Sequence, residues 1–192
     1  MRLVFDQKKA AQAAAYILKL NGGTINYMVL IKLLYLADRE SLIATGKPIT
    51  GDRMVSMPHG PVLSSILNLI SFGNFADEEG NSNPWLAYVS APNNYEVRAI
   101  KTDPETDELS RFEMGVLERN FNKFGRMDKW ALVRLTHNLP EWEDPHGSSI
   151  PIQPETILRA VGKSDSDIRE MINNAEEDWF ISNLSRLAPS RS

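Results

Sequence analysis

The segment from Tyr27 to Ala37 is apolar at every position except Lys32, and it constrains the fold more than any other feature of the chain. It is far shorter than the ~20 residues that a membrane-spanning helix needs. A helix with apolar residues on all sides is normally buried by its neighbours. We therefore predict a central core helix over residues 26–44, whose last turns, from Asp38 onward, reach the surface.

Segments with apolar residues at helical spacing and with capping residues at their ends are predicted to surround this core helix. The predicted helices cover residues 6–20, 61–70, 110–124, 128–139, 155–161 and 165–184. Residues 49–57 are expected to be extended, and residues 86–89 and 95–100 to form a β-hairpin. The pattern predicts an α+β fold that is predominantly helical, a single compact domain of about six or seven helices with a small antiparallel β-hairpin or sheet.

The composition excludes several classes of protein. The chain has 192 residues, no cysteine, and 21 Lys and Arg residues against 25 Asp and Glu residues, a net charge of −4. Disulfides, thiolate metal sites and a cysteine nucleophile are therefore excluded, and the absence of cysteine suits a reducing compartment. The N-terminus lacks the apolar region of a signal peptide, so we expect a soluble cytoplasmic protein with no membrane partner. The basic residues are dispersed, which argues against nucleic acid as a partner.

Three segments, taken in order, resemble a known family. They are Lys32-Leu33-Leu34-Tyr35-Leu36-Ala37-Asp38, then Gly46-Lys47-Pro48-Ile49 with His59-Gly60-Pro61-Val62, then Leu135-Thr136-His137-Asn138 with Trp142. Their order and spacing are similar to those of the Panacea domain family, which includes SocA-like antitoxins and phage-associated proteins. The resemblance extends over residues 10–142.

This resemblance implies a prokaryotic antitoxin of a toxin–antitoxin system, which neutralises a small cognate toxin by direct protein–protein binding. Some relatives instead resemble proteolytic adaptors that deliver the toxin to a cytosolic AAA+ protease. Neither function involves catalysis or a cofactor, so we expect the protein not to be an enzyme. The motifs and the acidic loop around Trp142 provide the candidate partner-binding residues: Tyr35, Asp38, Arg39, His59, Trp142, Glu143 and Asp144.

The chain beyond the resemblance is predicted to be a separate addition. We expect residues 1–150 to form the Panacea-like domain, residues 151–187 to form a C-terminal helical extension packed on it, and residues 188–192 to be a frayed tail. Residues 72–84 are expected to be a loop rich in Gly, Asn, Asp and Glu. The oligomeric state and the identity of the toxin are left open.

Two enzymatic or metal-binding interpretations compete with this one. His59 as a general base and Ser56 as a nucleophile would make a hydrolase, but neither an acidic orienting residue nor an oxyanion loop is evident, which favours a turn residue. His137 ends a predicted helix, where we expect a structural role with Trp142. A loop cluster offers possible metal ligands, although zinc prefers converging His and Cys, and a solvated acidic loop is favoured. Its members are Glu141, Glu143, Asp144 and His146.

A DNA-binding repressor is the remaining alternative, since many antitoxins regulate their own expression. The dispersed basic residues argue against it, because phosphate contacts dominate affinity for DNA.

Overall fold

The computed structural model describes residues 3–72 and 83–187, without the side chains of residues 178, 179 and 182–187. Seven α-helices, five short strands and one 3-10 helix (Pro84–Ala87) occur in these ranges. In chain order they are α1 (Gln7–Leu20), β1 (Thr24–Asn26), α2 (Tyr27–Thr45), β2 (Met54–Ser56), β3 (Val62–Leu63), α3 (Ser64–Phe72), β4 (Glu96–Arg98), α4 (Arg111–Phe124), α5 (Lys129–His137), β5 (Ile150–Ile152), α6 (Pro154–Ala160) and α7 (Asp165–Leu187). The predicted fold class, predominantly helical α+β, is confirmed.

Helix α2 is the core helix that the apolar run predicts. Asn26 caps its N-terminus through its side chain, and Gly46, with φ of +79°, ends it in the left-handed conformation that favours glycine. It packs against α1, α4, α5 and α6, so all of its faces meet other elements. The expectation that the helix surfaces at Asp38 is wrong. Asp38, Ser41 and Leu42 are buried, and the helix becomes exposed only at Ala44.

Helix α1 begins at the predicted position, because the Asp6 carboxylate accepts a hydrogen bond from the Lys9 backbone N–H at 2.9 Å. The helical spacing predicts a polar face formed by Lys8, Gln12 and Lys19, and this prediction is wrong for Gln12. Gln12 is fully buried, where its amide donates to the Tyr88 hydroxyl and its carbonyl accepts from the Glu108 backbone N–H. A long-range partner satisfies this amide, so it can lie inside at little cost.

The strands form two small antiparallel sheets, one of β1 and β4 and one in the order β3-β2-β5. Residues 86–89 do not form the predicted hairpin strand, because residues 84–87 are a 3-10 helix capped by Asn83. Of residues 86–89, Val89 alone forms a β-bridge, with Ala99, and the main partner of β4 is β1. Pro61 does not start a helix either. It leads into β3, and α3 begins at Ser64.

Helices α4 and α5 follow their predicted capping signals. Ser110 and Glu113 form a reciprocal capping box at the start of α4, and Gly125 ends it. The Asp128 carboxylate accepts hydrogen bonds from the backbone N–H groups of Trp130 and Ala131 at the start of α5.

The C-terminal segment joins the rest of the fold through a sheet and a helix. Strand β5, which spans the predicted boundary at residue 150, pairs with β2, and α6 packs on α2. Ile168 of α7 is buried, and Met171 lies against Gly46. Further along α7, Phe180 and Ile181 are exposed. The predicted loop at 72–84 and the tail at 188–192 lie largely or wholly outside the described residues.

Candidate functional site

The turn Pro58-His59-Gly60-Pro61 is the point at which the motif segments meet. It is closed by a hydrogen bond from the Gly60 N–H to the Met57 carbonyl oxygen at 2.9 Å. Gly60 has φ of +89°, in the left-handed region that favours glycine. A Cβ atom at this position would lie 2.6 Å from Thr136 Oγ1 and 2.9 Å from Lys32 Nζ. The turn therefore rests directly on α2 and α5, at a distance that only glycine permits.

Lys32 supports the turn from the core helix. Its side chain is 1% exposed, and its Nζ donates a hydrogen bond to the Pro61 carbonyl oxygen at 2.8 Å. Burial lowers the pKa of Lys32 to about 7. The single polar residue of the apolar run is therefore an internal support for the motif turn.

His137 and Trp142 hold the other side of the turn. Their rings stack with centroids 4.0 Å apart and planes 15° apart, and Trp142 Nε1 donates to the Met57 carbonyl oxygen at 3.1 Å. His137 also bonds the Pro58 backbone, while its Nε2 is buried without a partner among the described residues. Burial and the nearby Lys32 charge lower the pKa of His137. The geometry agrees with the structural role that the sequence predicts for His137 with Trp142.

A buried ion pair ties α2 to the segment that leads into Trp142. Glu141 Oε1 accepts hydrogen bonds from Arg39 Nε at 2.6 Å and from the Tyr35 hydroxyl at 2.9 Å. The Glu141 side chain is inaccessible, and that of Arg39 is 17% exposed. Burial, followed by the Glu141 charge, raises the pKa of Tyr35. Glu141 is thus part of the interior and does not belong to a solvated acidic loop.

Asp38 holds the chain between α2 and β2. Its carboxylate accepts hydrogen bonds from the Thr50 backbone N–H at 3.0 Å and from the Thr50 hydroxyl at 2.5 Å. Burial raises the pKa of Asp38 to about 7. Asp52, also buried, accepts from the backbone N–H groups of Ser65 and Ile66 at the start of α3. Both carboxylates therefore accept hydrogen bonds from backbone N–H groups and fix the segments that carry them.

The predicted partner-binding residues divide by burial. Tyr35 and Asp38, two of the candidate partner contacts, are 0% and 1% exposed, so neither offers an accessible surface in this fold. Both face residues brought from distant parts of the chain, which local sequence does not reveal. Arg39 and Trp142 are half-buried, and both are engaged with other residues. His59, Glu143 and Asp144 are exposed.

The geometry gives little support to the hydrolase and metal-site interpretations of the sequence. Ser56 is fully buried, and its hydroxyl accepts a hydrogen bond from the Glu143 backbone N–H at 3.3 Å, whereas His59 is exposed. Across residues 3–72 and 83–187, no three His, Cys, Asp or Glu side chains converge as metal ligands would. Over the same ranges, no helix combines the length and apolar character needed to cross a membrane.

Taken together, the fold is a helical domain in which three separated motifs converge on one glycine turn. The family model for SocA-like antitoxins with a Panacea domain matches residues 30–143, more than half of the chain. The chain therefore belongs to this antitoxin family. Neither a search of curated proteins nor a search of solved structures found a match.

Sequence reasoning missed two residues of this arrangement. In the sequence pattern Lys32 is only an interruption of the apolar run, and Glu141 belongs to a predicted surface loop. A lone lysine within an otherwise buried helix was the available signal, because such a group must find an internal partner. Glu141 gave no local signal, since its partners Tyr35 and Arg39 lie about a hundred residues earlier in the chain.

Proposed function

We propose that this protein is the antitoxin of a toxin–antitoxin system and that it neutralises a small toxin by binding it directly. Membership of the SocA-like antitoxin family is the observation that carries the proposal. The buried motif residues Lys32, Tyr35 and Asp38 bind other parts of the same chain, so they hold the fold together and are not available to a partner. In this proposal the motif residues of the family maintain the fold, and exposed residues around them recognise the toxin.

The same contacts support a non-catalytic mechanism. The Ser56 hydroxyl is buried against the Glu143 backbone. Lys32 and His137 bind the backbone of the motif turn, at Pro61 and Pro58. We expect a His59→Ala variant to retain neutralisation, because no step in the proposed mechanism uses the imidazole. Loss of neutralisation by a stably folded variant, together with hydrolytic activity in the wild type, would favour the hydrolase.

Co-expression tests the proposal. The reading frame next to this gene is induced in a bacterial host, alone and together with this protein, and growth and co-purification are measured. We expect toxicity from the neighbour alone, rescue on co-expression, and a complex that survives purification. A toxic neighbour that is neither rescued nor co-purified would contradict the antitoxin function.

Toxin lifetime distinguishes direct binding from proteolytic delivery. Toxin half-life is measured with and without the antitoxin, in wild-type cells and in cells that lack their cytosolic AAA+ proteases. Direct binding predicts rescue in both strains. Rescue that disappears together with the proteases would instead identify the protein as an adaptor.

A further inference from the structure

A row of aromatic and basic side chains lies at the surface beside the motif turn. We call it the aromatic–basic strip, and its members are Tyr27, His59, Tyr95, Lys129, Trp130 and Arg134. The rings of Tyr27 and Tyr95 have centroids 6.1 Å apart. Lys129 Nζ lies 5.5 Å from the Tyr95 centroid and 5.3 Å from the Trp130 centroid. The strip thus connects the start of α2, the turn before β4, and α5.

The strip continues from Trp130 in two directions. The ring of His59 meets that of Trp130 edge to face, with centroids 5.7 Å apart. Arg134 follows Trp130 by four residues on α5, so the two side chains project from the same face of that helix. Tyr95 and Trp130 are 66% and 47% exposed, and His59 and Arg134 are exposed too. Tryptophan, tyrosine and arginine are the residues that most often dominate binding energy at protein interfaces.

The backbone beneath Tyr95 is strained in a way that presents its ring. Asn93 and Glu96 exchange backbone hydrogen bonds at 2.8 and 3.0 Å, which leaves Asn94 and Tyr95 as a two-residue turn. Their φ values are +50° and +64°. Such turns favour Asn-Gly, because a side chain at the second position is disfavoured in the left-handed region. Tyrosine at this position costs stability, which suggests that its side chain serves a purpose other than folding.

The two cations of the strip, Lys129 and Arg134, have no carboxylate partner within the part of the chain that the structure describes. Lys129 and Arg134 form no salt bridge there, although seven other basic residues pair with carboxylates. Residues 122–138 contain four basic residues and a single acidic one, Asp128, whose carboxylate caps α5. This stretch of the sequence is therefore locally basic on a chain whose net charge is −4.

We propose that the toxin docks on the aromatic–basic strip through an acidic segment that carries an exposed apolar side chain. Tyr95 and Trp130 cover the apolar side chain, and Lys129 and Arg134 pair with the carboxylates. Complementary charge speeds association, and the aromatic rings supply most of the affinity. This inference rests on the proposed antitoxin function. It requires an acidic toxin surface, whereas a contact through Glu143 and Asp144 would require a basic one.

Three variants test the strip. Tyr95→Gly relieves the strained turn and removes the ring, Trp130→Ala removes the central ring, and Lys129→Glu reverses the charge. Phe112→Ala is the matched control, because Phe112 is an exposed aromatic residue outside the strip. Each protein is titrated with the purified product of the neighbouring toxin gene, at low and high salt, and its melting temperature is recorded.

We expect the three strip variants to bind the toxin at least about tenfold more weakly, while Phe112→Ala binds like the wild type. The Tyr95→Gly variant should melt at or above the wild-type temperature, so its loss of binding cannot come from unfolding. Toxin binding by the wild type should weaken with salt, and less so for Lys129→Glu.

Unchanged toxin affinity in the strip variants would overturn this inference and leave the antitoxin function intact, whereas failure of the wild type to bind would overturn both. A labelled single-stranded RNA is titrated in parallel, because rings beside cations also stack bases. RNA binding that the strip variants lose while they retain the toxin would assign the surface to nucleic acid and overturn the proposal.

Discussion

At the residue scale, the glycine of the motif turn has little freedom. Gly60 combines a left-handed φ with side-chain atoms of α2 and α5 at the place where a Cβ atom would stand. Two independent constraints therefore act on one residue, its backbone conformation and the space around it. Gly22, with φ of +77° and open space around it, carries only the first.

We expect Gly60→Val to lower the free energy of unfolding by about 3 kcal/mol or more. Left-handed backbone costs an L-residue roughly 1–2 kcal/mol, and overpacking against Thr136 and Lys32 adds about 1–3 kcal/mol. Gly22→Ala is the control, since it should lose only about 1–2 kcal/mol. Chemical denaturation measures both, and equal losses would show that the contacts at Gly60 relax freely.

Lys32 is expected to make stability depend on pH. Its pKa is about 7 in the folded protein and 10.5 when exposed, so between these values the unfolded chain binds one more proton. The free energy of unfolding should therefore rise with pH from 7 towards 10, by up to about 1.4 kcal/mol per unit. Lys32→Met should remove this rise. Urea denaturation at pH 7, 8 and 9 tests it, and parallel profiles for the two proteins would contradict it.

At the element scale, α2 organises the fold because its neighbours bury every residue from Val29 to Asp38. Its local sequence specifies both ends, through the Asn26 cap and the left-handed Gly46. The neighbouring elements bring the polar partners that its buried Lys32 and Asp38 need. The apolar residues of the helix pack against the surrounding elements. Its buried polar groups fix the positions of two surrounding segments, at Pro61 and Thr50.

Leu34→Ala should cost about 2–5 kcal/mol of stability, the usual range for truncating a buried leucine. Leu34 is 1% exposed at the centre of α2, where the surrounding helices leave no room for solvent. Ile100→Ala serves as the control, because Ile100 is 53% exposed and its truncation should change stability by no more than about 0.5 kcal/mol. Thermal melts of both variants decide whether α2 is packed as described.

At the scale of the whole molecule, contacts between distant segments separate structural residues from surface residues. Arg39 and Tyr35 meet Glu141, whereas Glu143 and Asp144, a few positions further on, are exposed. One short acidic stretch therefore contains both kinds of residue. Mutations at Asp38, Arg39 and Glu141 should act through folding, and mutations at Glu143 and Asp144 should act mainly on binding to a partner at the surface.

We expect Glu141→Ala to destabilise the protein by about 3 kcal/mol, since it leaves the Arg39 guanidinium without its buried partner. Glu143→Ala and Asp144→Ala should stay within about 0.5 kcal/mol of the wild type. Denaturation curves of the three variants make the comparison. A loss at Glu143 as large as that at Glu141 would show that the loop is structural throughout.

The sequence by itself determined the features that depend on local physical chemistry. The buried core helix, the caps at Ser110 and Asp128, and the glycine turn at Gly60 follow from apolar periodicity, capping side chains and backbone conformation. These signals lie within a few residues of the element that they specify, so they can be read without knowing the fold. The motif set also identified the antitoxin family.

Only the tertiary structure decided how distant residues pair. Strand β4 pairs with β1 and β5 with β2, and Gln12, Asp38 and Glu141 are buried by partners far along the chain. A polar side chain can be solvated by water or by an internal partner, and its own neighbours in sequence do not distinguish the two. The apolar part of the interior could therefore be predicted from the sequence. The polar part could not, because burial of a polar group depends on a partner that folding brings to it.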